Sequence, residues 1–284
     1  MAGHVLVGTD GSKPAATAVK WAAEDAVRRH RALRVVHVCE AWAYDVPYLQ
    51  VPEAPEGVSR SCEEILDAAA GFARARAPGL EVTTTLISGR IIETLLQESE
   101  RAVQVVVGSR GLGGFTGMLV GSVGMGLAGH TACPLVVVRG AQDTVHAEVA
   151  TGFDGSESSH AALEYAFAEA VRRGARLRIV HAWQVPYAVG RAAPPGDVFG
   201  SDESAVRKTL KAWLERRPQV ETVETTVQDH PVSALRDASA QADLVVVGSR
   251  GLGGFGAAIL GSVSRGVLLH AHCPVAVVPH PPEA

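Results

Sequence analysis

The chain contains the string VVVGSRGLGGF twice, at residues 105–115 and again at residues 245–255. Each copy is followed at the same spacing by the tripeptide Gly-Ser-Val. Such self-similarity in a chain of 284 residues indicates two copies of one structural unit. Glycine permits positive φ angles and close approach of the backbone to a ligand. The repeated loop is therefore the first place to look for a functional site.

The repeat extends over almost the whole chain. The matching pairs include Asp10 and Asp154, His37 and His181, and Cys133 and Cys273. We therefore predict a first domain over residues 1–140, a linker over residues 141–145 and a second domain over residues 146–284. Each domain has a size that is typical of a unit with its own hydrophobic core.

The composition excludes several classes of function. Hydrophobic residues make up 47% of the chain and charged residues 20%, which is typical of a soluble globular protein. The 26 Lys and Arg residues are outnumbered by 30 Asp and Glu residues, so no nucleic-acid partner is expected. No apolar stretch approaches the ~20 residues that a membrane helix needs, and we expect no leader segment before the first strand. We expect a cytoplasmic protein with no membrane partner.

The cysteines carry no metal or redox motif. Cys39, Cys62, Cys133 and Cys273 show no CxxC spacing. We predict that all four are reduced, apolar residues of a cytoplasmic protein.

Short β-branched runs alternate with helical segments along the first half. Strands are predicted over residues 4–8, 33–39, 80–87, 103–107 and 134–138. Helices are predicted over residues 14–29, 58–77 and 91–100, and from about residue 122. This βαβαβαβαβ order and the near-continuous valine runs predict a parallel sheet covered on both faces by helices.

Residues far apart in the sequence are expected to meet at one crevice of this sheet. In open parallel sheets, ligands bind beyond the carboxyl ends of the strands, where the winding direction reverses. Asp10 follows the first strand, Val38 lies near the end of the second strand and Gly108 follows the fourth strand. All three are therefore expected along one edge of the sheet.

The glycine loop has the form G-x-x-G-x9-G-S in both halves. Its residues are Gly108, Gly111, Gly121 and Ser122 in the first copy and Gly248, Gly251, Gly261 and Ser262 in the second. The first glycine pair lets backbone amides face inward, and the Gly-Ser pair places N–H groups and a hydroxyl at a helix start, which suits phosphate. The loop lacks the lysine of the P-loop proteins, and no general base stands beside Ser122 to make it a nucleophile.

The loop spacing, the Asp-Gly-Ser after the first strand and the Cys-Pro before the last strand resemble the universal stress protein family. The resemblance is to the ATP-binding branch in tandem form, and it covers both halves nearly end to end. It implies an α/β fold of the Rossmann-like, HUP type, with two tandem open-sheet domains. Each domain would be a mostly parallel five-stranded sheet with helices on both faces.

The same resemblance implies a set of nucleotide-binding residues. In the first half these are Asp10, Val38, Val107, Gly108, Gly111, Gly121, Ser122 and Val123; in the second they are Asp154, Ala182, Val247, Gly248, Gly251, Gly261, Ser262 and Val263. The loop glycines and serine would hold ribose and phosphates, and the backbone at Val38 and Ala182 would contact adenine. The implied cofactor is ATP, with Mg²⁺ held through the phosphates and no metal bound by protein groups alone. The two halves differ in that Ala182 replaces Val38, Thr151 replaces Val7 and Asp229 replaces Gly89. A backbone contact to adenine would survive the first difference, but together the differences allow the two pockets unequal affinities.

Several of these residues have a structural alternative. Asp10 and Ser12, like their counterparts Asp154 and Ser156, suit the capping of the helix that follows as well as they suit a ligand contact. His37 and His181 lie inside apolar strands, which favours a hydrogen-bonded structural role over metal binding. Arg110 and Arg250 are as well explained by solvation as by phosphate binding, so we leave them out of the site.

We conclude from the sequence that the chain is an ATP-binding stress-response regulatory protein with two nucleotide pockets and little or no catalysis. One alternative is a slow ATPase or nucleotidyl-transferring enzyme, in which Asp10 or Asp154 assists a phosphate-held Mg²⁺. Another is a nucleotide-independent module that binds a regulatory protein partner. The resemblance also implies that residues 135–138 and 275–278 pair within one chain as an intramolecular pseudo-dimer, and a homodimer of chains is the further possibility.

Overall fold

The computed structural model describes residues 3–40, 56–111, 120–140, 144–183, 200–215, 217–251 and 260–280. The strands in chain order are β1 (His4–Gly8), β2 (Leu33–Cys39), β3 (Val82–Ser88), β4 (Ala102–Gly108), β5 (Leu135–Val138), β6 (Glu148–Gly152), β7 (Arg176–Trp183), β8 (Thr222–Gln228), β9 (Leu244–Gly248) and β10 (Val275–Val278). The helices are α1 (Lys13–Arg29), α2 (Glu56–Arg76), α3 (Ile91–Ser99), α4 (Ser122–Leu127), α5 (Glu157–Arg173), α6 (Gly200–Leu214), α7 (Pro231–Ser239) and α8 (Ser262–His270). The predicted elements of the first half are confirmed. Many of their observed boundaries differ from the predicted ones by one or two residues.

The chain divides into two compact units. The first comprises Met1–Ala141 together with Pro274–Pro279, and the second comprises Gln142–Cys273 and His280–Ala284. Residues 141–143 of the predicted linker lie outside the described residues.

The first unit is built on a sheet with strand order β3-β2-β1-β4-β5-β10. Strands β1 to β5 are parallel to their neighbours, whereas β10 runs antiparallel to β5. Val275 lies opposite Val137, and Val277 lies opposite Leu135, so the strand pairing expected from the sequence is confirmed. The winding direction reverses between β1 and β4, which places a crevice beyond the carboxyl ends of these two strands.

The first helix begins and ends where the sequence places its signals. The side chain of Ser12 accepts a hydrogen bond from the N–H of Ala15 and caps α1, and a proline follows in its first turn. The helix ends at His30, which adopts a left-handed conformation with φ of 52°. Val5, Leu6 and Val7 of the neighbouring β1 are completely buried, as expected for a strand covered on both faces.

The second unit repeats the same winding. Its parallel strands have the order β8-β7-β6-β9. Ser156 caps α5 by accepting from the N–H of Ser159, and α5 ends at Gly174, which has a left-handed φ of 59°.

Helices cover both faces of the sheets, as predicted. In the first unit α1 and α2 pack against each other on one side, and α3 and α4 pack against each other on the other. In the second unit α5 contacts β6, β7 and β9, and α7 contacts α8. None of the helices in the described ranges is long and apolar enough to span a membrane.

A buried carboxylate begins the first strand of the second unit. Glu148 is completely buried, and its oxygens accept hydrogen bonds from Nε of Arg176 at 2.5 Å and Nε of Arg178 at 2.6 Å. Burial by itself would raise the pKa of Glu148, but the hydrogen bonds and positive charges of both arginines together hold that pKa below its ordinary value. Glu148 is therefore charged in the folded protein at neutral pH.

The prediction that all four cysteines are reduced is wrong for two of them. Cys39 at the end of β2 and Cys62 in α2 are joined by a disulfide bond. The helix packs on this strand and brings the two residues together, although the chain between them carries no disulfide-like spacing. Cys133 and Cys273 are buried thiols, as expected.

Candidate functional site

The carboxyl ends of β1, β2 and β4 bring predicted site residues to one edge of the first unit. Asp10 follows β1 after one residue, Val38 is the penultimate residue of β2, and Gly108 is the last residue of β4. The sheet order places β1 between β2 and β4, so these residues flank the crevice where the winding reverses.

The backbone of Val38 faces this crevice. The carbonyl of Val36 accepts a hydrogen bond from the N–H of Thr9 at 2.9 Å, so the polar groups of Val36 point towards β1. Because these directions alternate along a strand, the N–H and C=O of Val38 point to the same side. There β1 has already ended at Gly8, which pairs with Val36. The backbone polar groups of Val38 thus point beyond the end of β1, into the crevice.

The second unit has the same arrangement at Ala182. The carbonyl of Val180 accepts from the N–H of Phe153 at 3.0 Å, and Val180 pairs with Gly152 at the end of β6. Two residues further along β7, the backbone of Ala182 therefore points beyond the end of β6. The direction of these backbone groups does not depend on the smaller side chain of Ala182.

Asp10 lies at the point where the first strand meets the glycine loop. One oxygen, Oδ1, accepts a hydrogen bond from the N–H of Ser12 at 3.0 Å. The other oxygen, Oδ2, lies so close to Gly111 that a Cβ atom added to that glycine would overlap with it. Ser12, and not Asp10, caps helix α1. One oxygen of the Asp10 carboxylate therefore stabilises the turn after β1, and the other faces the glycine loop.

Asp154 repeats this geometry in the second unit. Its Oδ1 accepts from the N–H of Ser156 at 3.0 Å and from the Ser156 hydroxyl at 2.6 Å. Its Oδ2 would lie 3.1 Å from a Cβ atom added to Gly251. The approach is looser than at Gly111, but the same pair of residues meets.

The glycines at the ends of β4 and β9 have a packing role that the sequence analysis missed. A Cβ atom on Gly108 would lie 2.8 Å from the carbonyl oxygen of Pro14, in the first turn of α1. A Cβ atom on Gly248 would lie 2.5 Å from the carbonyl oxygen of Ser158 in α5. Glycine is needed at both positions because a helix backbone crosses the strand end. The preceding Val107 and Val247 are buried in the sheet.

For Gly121 and Gly261, no close neighbour in the described part of the chain explains the need for glycine. Each N–H donates a hydrogen bond of 2.7 Å across the loop, to the carbonyl of Ser109 and of Ser249 respectively. Gly121 has φ of −72° and ψ of 162°, an extended conformation that any residue adopts. A Cβ atom there would meet its nearest neighbour, Cα of Arg110, at an ordinary 3.5 Å. With respect to the described residues, the two glycines leave open a space that a side chain would fill.

Helices α4 and α8 begin directly after these glycines without a side-chain cap. The first residues, Ser122 and Ser262, are exposed, and the next, Val123 and Val263, are half-buried. N–H groups in the first turn of a helix have no partner within the helix and need an acceptor from elsewhere. The exposed serines place hydroxyl groups beside these N–H groups.

Other residues discussed above lie outside this cluster. His37 Nδ1 lies 2.7 Å from the carbonyl of Thr9, and His181 Nδ1 lies 2.9 Å from the carbonyl of Phe153, so both histidines have the expected structural hydrogen bond. Arg110 and Arg250 are exposed. The middle of each loop, residues 112–119 and 252–259, lies outside the described residues.

The described atoms suit an anionic ligand that also forms hydrogen bonds with backbone groups. Uncapped N–H groups and hydroxyls lie at the loop, glycines leave space beside them, and backbone polar groups face the crevice from the neighbouring strand. Among the described residues, the group of three potential metal ligands is His37, Cys39 and Cys62, which does not include the loop or its aspartate.

The fold defines a tandem α/β protein with mostly parallel, open sheets and helices on both faces. The family model of the universal stress protein family matches residues 1–139 and again residues 148–279. The chain is 36% identical to universal stress protein Rv1996 of Mycobacterium tuberculosis, over 98% of this chain and 96% of that one. It is 37% identical to universal stress protein Rv2005c of the same organism, over 96% of each chain. The chain belongs to the universal stress protein family.

A solved structure supports the fold over the whole length. The crystal structure of a universal stress protein from Archaeoglobus fulgidus matches with a TM-score of 0.76, covering 99% of this chain and 100% of that chain. The two sequences are 21% identical, so this similarity concerns the fold alone.

Proposed function

We propose that the protein is an ATP-binding stress-response regulator with two nucleotide pockets and little or no intrinsic catalysis. The observation that carries the proposal is the open space beside Gly121 and Gly261. Glycine suits a helix N-cap, but among the described residues neither backbone conformation nor packing requires it there, and a nucleotide close to the backbone supplies a reason for it. Membership of the universal stress protein family supports a role in the stress response.

In this proposal each half holds one nucleotide with the same groups. The N–H groups and hydroxyls at Ser122 and Ser262 bind phosphate oxygens, because uncapped helix N–H groups favour anions. The backbone at Val38 and Ala182 contacts the adenine. Mg²⁺, where present, neutralises the phosphates.

The surroundings of the loop serines support the proposal of little or no catalysis. Within the described ranges, neither Ser122 nor Ser262 has a hydrogen bond to an imidazole or a carboxylate that would activate its hydroxyl. A serine without a neighbouring base is a weak nucleophile. The proposal is therefore one of binding and signalling, in the cytoplasm, through a protein partner whose identity the site does not define.

Equilibrium binding tests the proposal. Calorimetric titration of the folded protein with ATP, ADP and AMP is expected to show association with up to two sites, and ATP is expected to bind with Mg²⁺ present. Mass spectrometry of ligand released from protein that was purified without added nucleotide checks the same point independently. A folded protein that binds none of the three nucleotides overturns the proposal.

A slow ATPase is a second candidate, favoured by the position of Asp10 and Asp154. Their Oδ2 atoms face the loop, where a carboxylate is suited to a phosphate-held Mg²⁺. This candidate requires turnover well above background that is lost in the double variant Asp10→Asn, Asp154→Asn. Binding without such turnover supports the regulator.

A further inference from the structure

The Cys39–Cys62 disulfide lies beside the first candidate pocket. Cys39 is the last residue of β2 and directly follows Val38, whose backbone faces the crevice. Cys62 lies in α2 and is almost completely buried, whereas Cys39 is half-buried. The bond therefore ties a helix to the strand end that forms one wall of the pocket.

The tied helix also contacts the opposite wall. Ile65, one helical turn after Cys62, packs against Gly11, where a Cβ atom would lie 3.1 Å from Cγ1 of the isoleucine. Gly11 has a positive φ of 79° and directly follows Asp10, which faces the glycine loop. The position of α2 therefore affects the end of β2 through Cys39. It also affects the turn after β1, which contains Asp10, through Ile65.

The second unit has the same packing without the bond. Trp183 occupies the place of Cys39, since it pairs with Gln228 as Cys39 pairs with Ser88 in the corresponding strand pair. Gly155, after Asp154, is contacted by Val206 of α6, at 3.1 Å from the position of an added Cβ atom. The second unit is therefore an internal control for the effect of the disulfide.

We propose that Cys39 and Cys62 form a redox-reversible pair whose oxidation state sets the nucleotide affinity of the first pocket and leaves the second pocket unchanged. This inference rests on the proposed function. It fits a cytoplasmic protein, because disulfides in that compartment are mostly transient and catalytic or redox-sensing.

The chemistry balances with a peroxide as the oxidant. The thiolate of one cysteine attacks hydrogen peroxide, the O–O bond breaks, and a sulfenic acid and one water result once hydroxide takes up a proton. The sulfur of the second cysteine then attacks the sulfenic sulfur, which forms the S–S bond and releases a second water. Two thiols thus lose two electrons and two protons to one peroxide. A dithiol reductant reverses the reaction by two thiol–disulfide exchanges.

The oxidised protein is expected to bind more tightly at the first pocket. The bond holds both walls in place before the ligand arrives, so less ordering remains for binding to accomplish. We expect an affinity about tenfold higher than in the reduced protein, within the usual range of coupling between two sites. The coupling is reciprocal, so saturating ATP should lower the midpoint potential of the pair by about 30 mV, which is tenfold for a two-electron couple.

The experiment isolates each pocket in the full-length protein. Gly261→Val disables the second pocket and leaves the first for titration, and Gly121→Val does the reverse. Each variant is titrated with ATP after peroxide treatment and again after reduction with dithiothreitol. Thiol counting in denaturant confirms the two states, with two thiols in the oxidised protein and four in the reduced protein.

The two remaining cysteines, Cys133 and Cys273, do not take part in the redox change. Burial raises the pKa of the Cys133 thiol to about 12, against smaller opposite effects of a hydrogen bond with the Val105 backbone and of the Arg29 charge, so this thiol stays neutral and unreactive. Cys273 is buried in the same way. Cys39→Ser should keep the lower affinity under both conditions. The unmutated protein, titrated in both states, gives the same comparison should a variant fail to fold.

Each outcome is decisive. A tenfold loss on reduction in Gly261→Val, with no change in Gly121→Val, supports the inference. Equal affinity in both states, or four thiols after peroxide treatment, overturns it and leaves the proposed function standing. No ATP binding in either state overturns the proposed function and the inference together. Stoichiometric Zn²⁺ uptake by the reduced protein that is lost in Cys39→Ser would make His37, Cys39 and Cys62 a metal site and overturn the redox role.

Discussion

The Oδ2 oxygen of Asp10 occupies the space that a side chain on residue 111 would need. The other oxygen of this carboxylate is held by the N–H of Ser12, so Asp10 cannot turn away without breaking the turn after β1. The glycine loop and the aspartate therefore constrain each other, and a change in one should be felt at the other.

We predict that Gly111→Ala weakens ATP binding at the first pocket about tenfold, because the new methyl group displaces the Asp10 carboxylate. Gly251→Ala is the matched variant of the second unit. There Oδ2 of Asp154 would lie 3.1 Å from the new Cβ atom and needs to move by only a few tenths of an ångström, so the loss should be smaller. Calorimetry with the opposite pocket disabled measures each effect, and an equal loss in both variants would contradict the prediction.

Gly121→Val should abolish binding at the first pocket while leaving the fold intact. The backbone at this residue is extended and no atom of the described residues lies closer than 3.5 Å to the added Cβ position, so the side chain would enter the proposed ligand space. Loss of unfolding free energy is expected to stay within about 1 kcal/mol, the effect of a poorer helix cap. Ser122→Ala removes one donor and should weaken binding about fivefold to tenfold. Unchanged affinity in both variants would refute the placement of the phosphates.

Gly108→Ala should act on stability before it acts on binding. Its Cβ atom would meet the backbone of Pro14 at 2.8 Å, and backbone atoms give way at a cost of about 1–3 kcal/mol. Gly71→Ala is the control, since Gly71 is exposed in α2 with no atom near the added Cβ, and this change should stabilise the protein by about 0.5–1 kcal/mol. Chemical denaturation measures both. A Gly108→Ala protein of unchanged stability but lower ATP affinity would show that ligand approach, and not packing, requires this glycine.

Glu148→Gln should lower the free energy of unfolding at neutral pH by about 2 kcal/mol. This loss is smaller than for a fully buried ion pair because the side chains of Arg176 and Arg178 reach solvent. The folded pKa of Glu148 lies below its ordinary value of 4.5. The stabilisation is therefore fully present above that value and is lost as the pH falls through the folded pKa.

The pH dependence of the unfolding free energy tests whether the pKa of Glu148 is lowered in the folded protein. Unfolding free energies measured from pH 7 downwards should fall more steeply below pH 4.5 in the unmutated protein than in Glu148→Gln. Glu164→Gln serves as the control, because Glu164 is half-exposed and pairs with Arg217 at the surface, where ion pairs contribute little. Parallel curves for the unmutated protein and Glu148→Gln would contradict a lowered pKa of Glu148.

Most of the fold could be predicted from the sequence because its signals are local. Residues 33–39 were bounded correctly as β2 by their β-branched run, and α1 by its serine cap and proline. The convergence of Asp10, Val38 and the loop followed from the rule that parallel strands end at one edge.

The missed features depend on contacts between distant parts of the chain. The need for glycine at residue 108 comes from the crossing of α1, which no loop pattern reveals. The Cys39–Cys62 bond depends on how α2 lies on β2, and the expected reducing compartment argued against it. Which of Asp10 and Ser12 caps α1 likewise depends on atomic positions, because either side chain suits a helix cap.

The antiparallel pairing of β10 with β5 limits how the chain can be shortened. A fragment that ends before residue 274 would leave the apolar strand Leu135–Val138 as an open sheet edge, and such edges promote aggregation. The pairing also joins a segment from the middle of the sequence to one near its C-terminal end, which raises the contact order and slows folding. Expression of the isolated first repeat should therefore give less well-behaved protein than the intact chain.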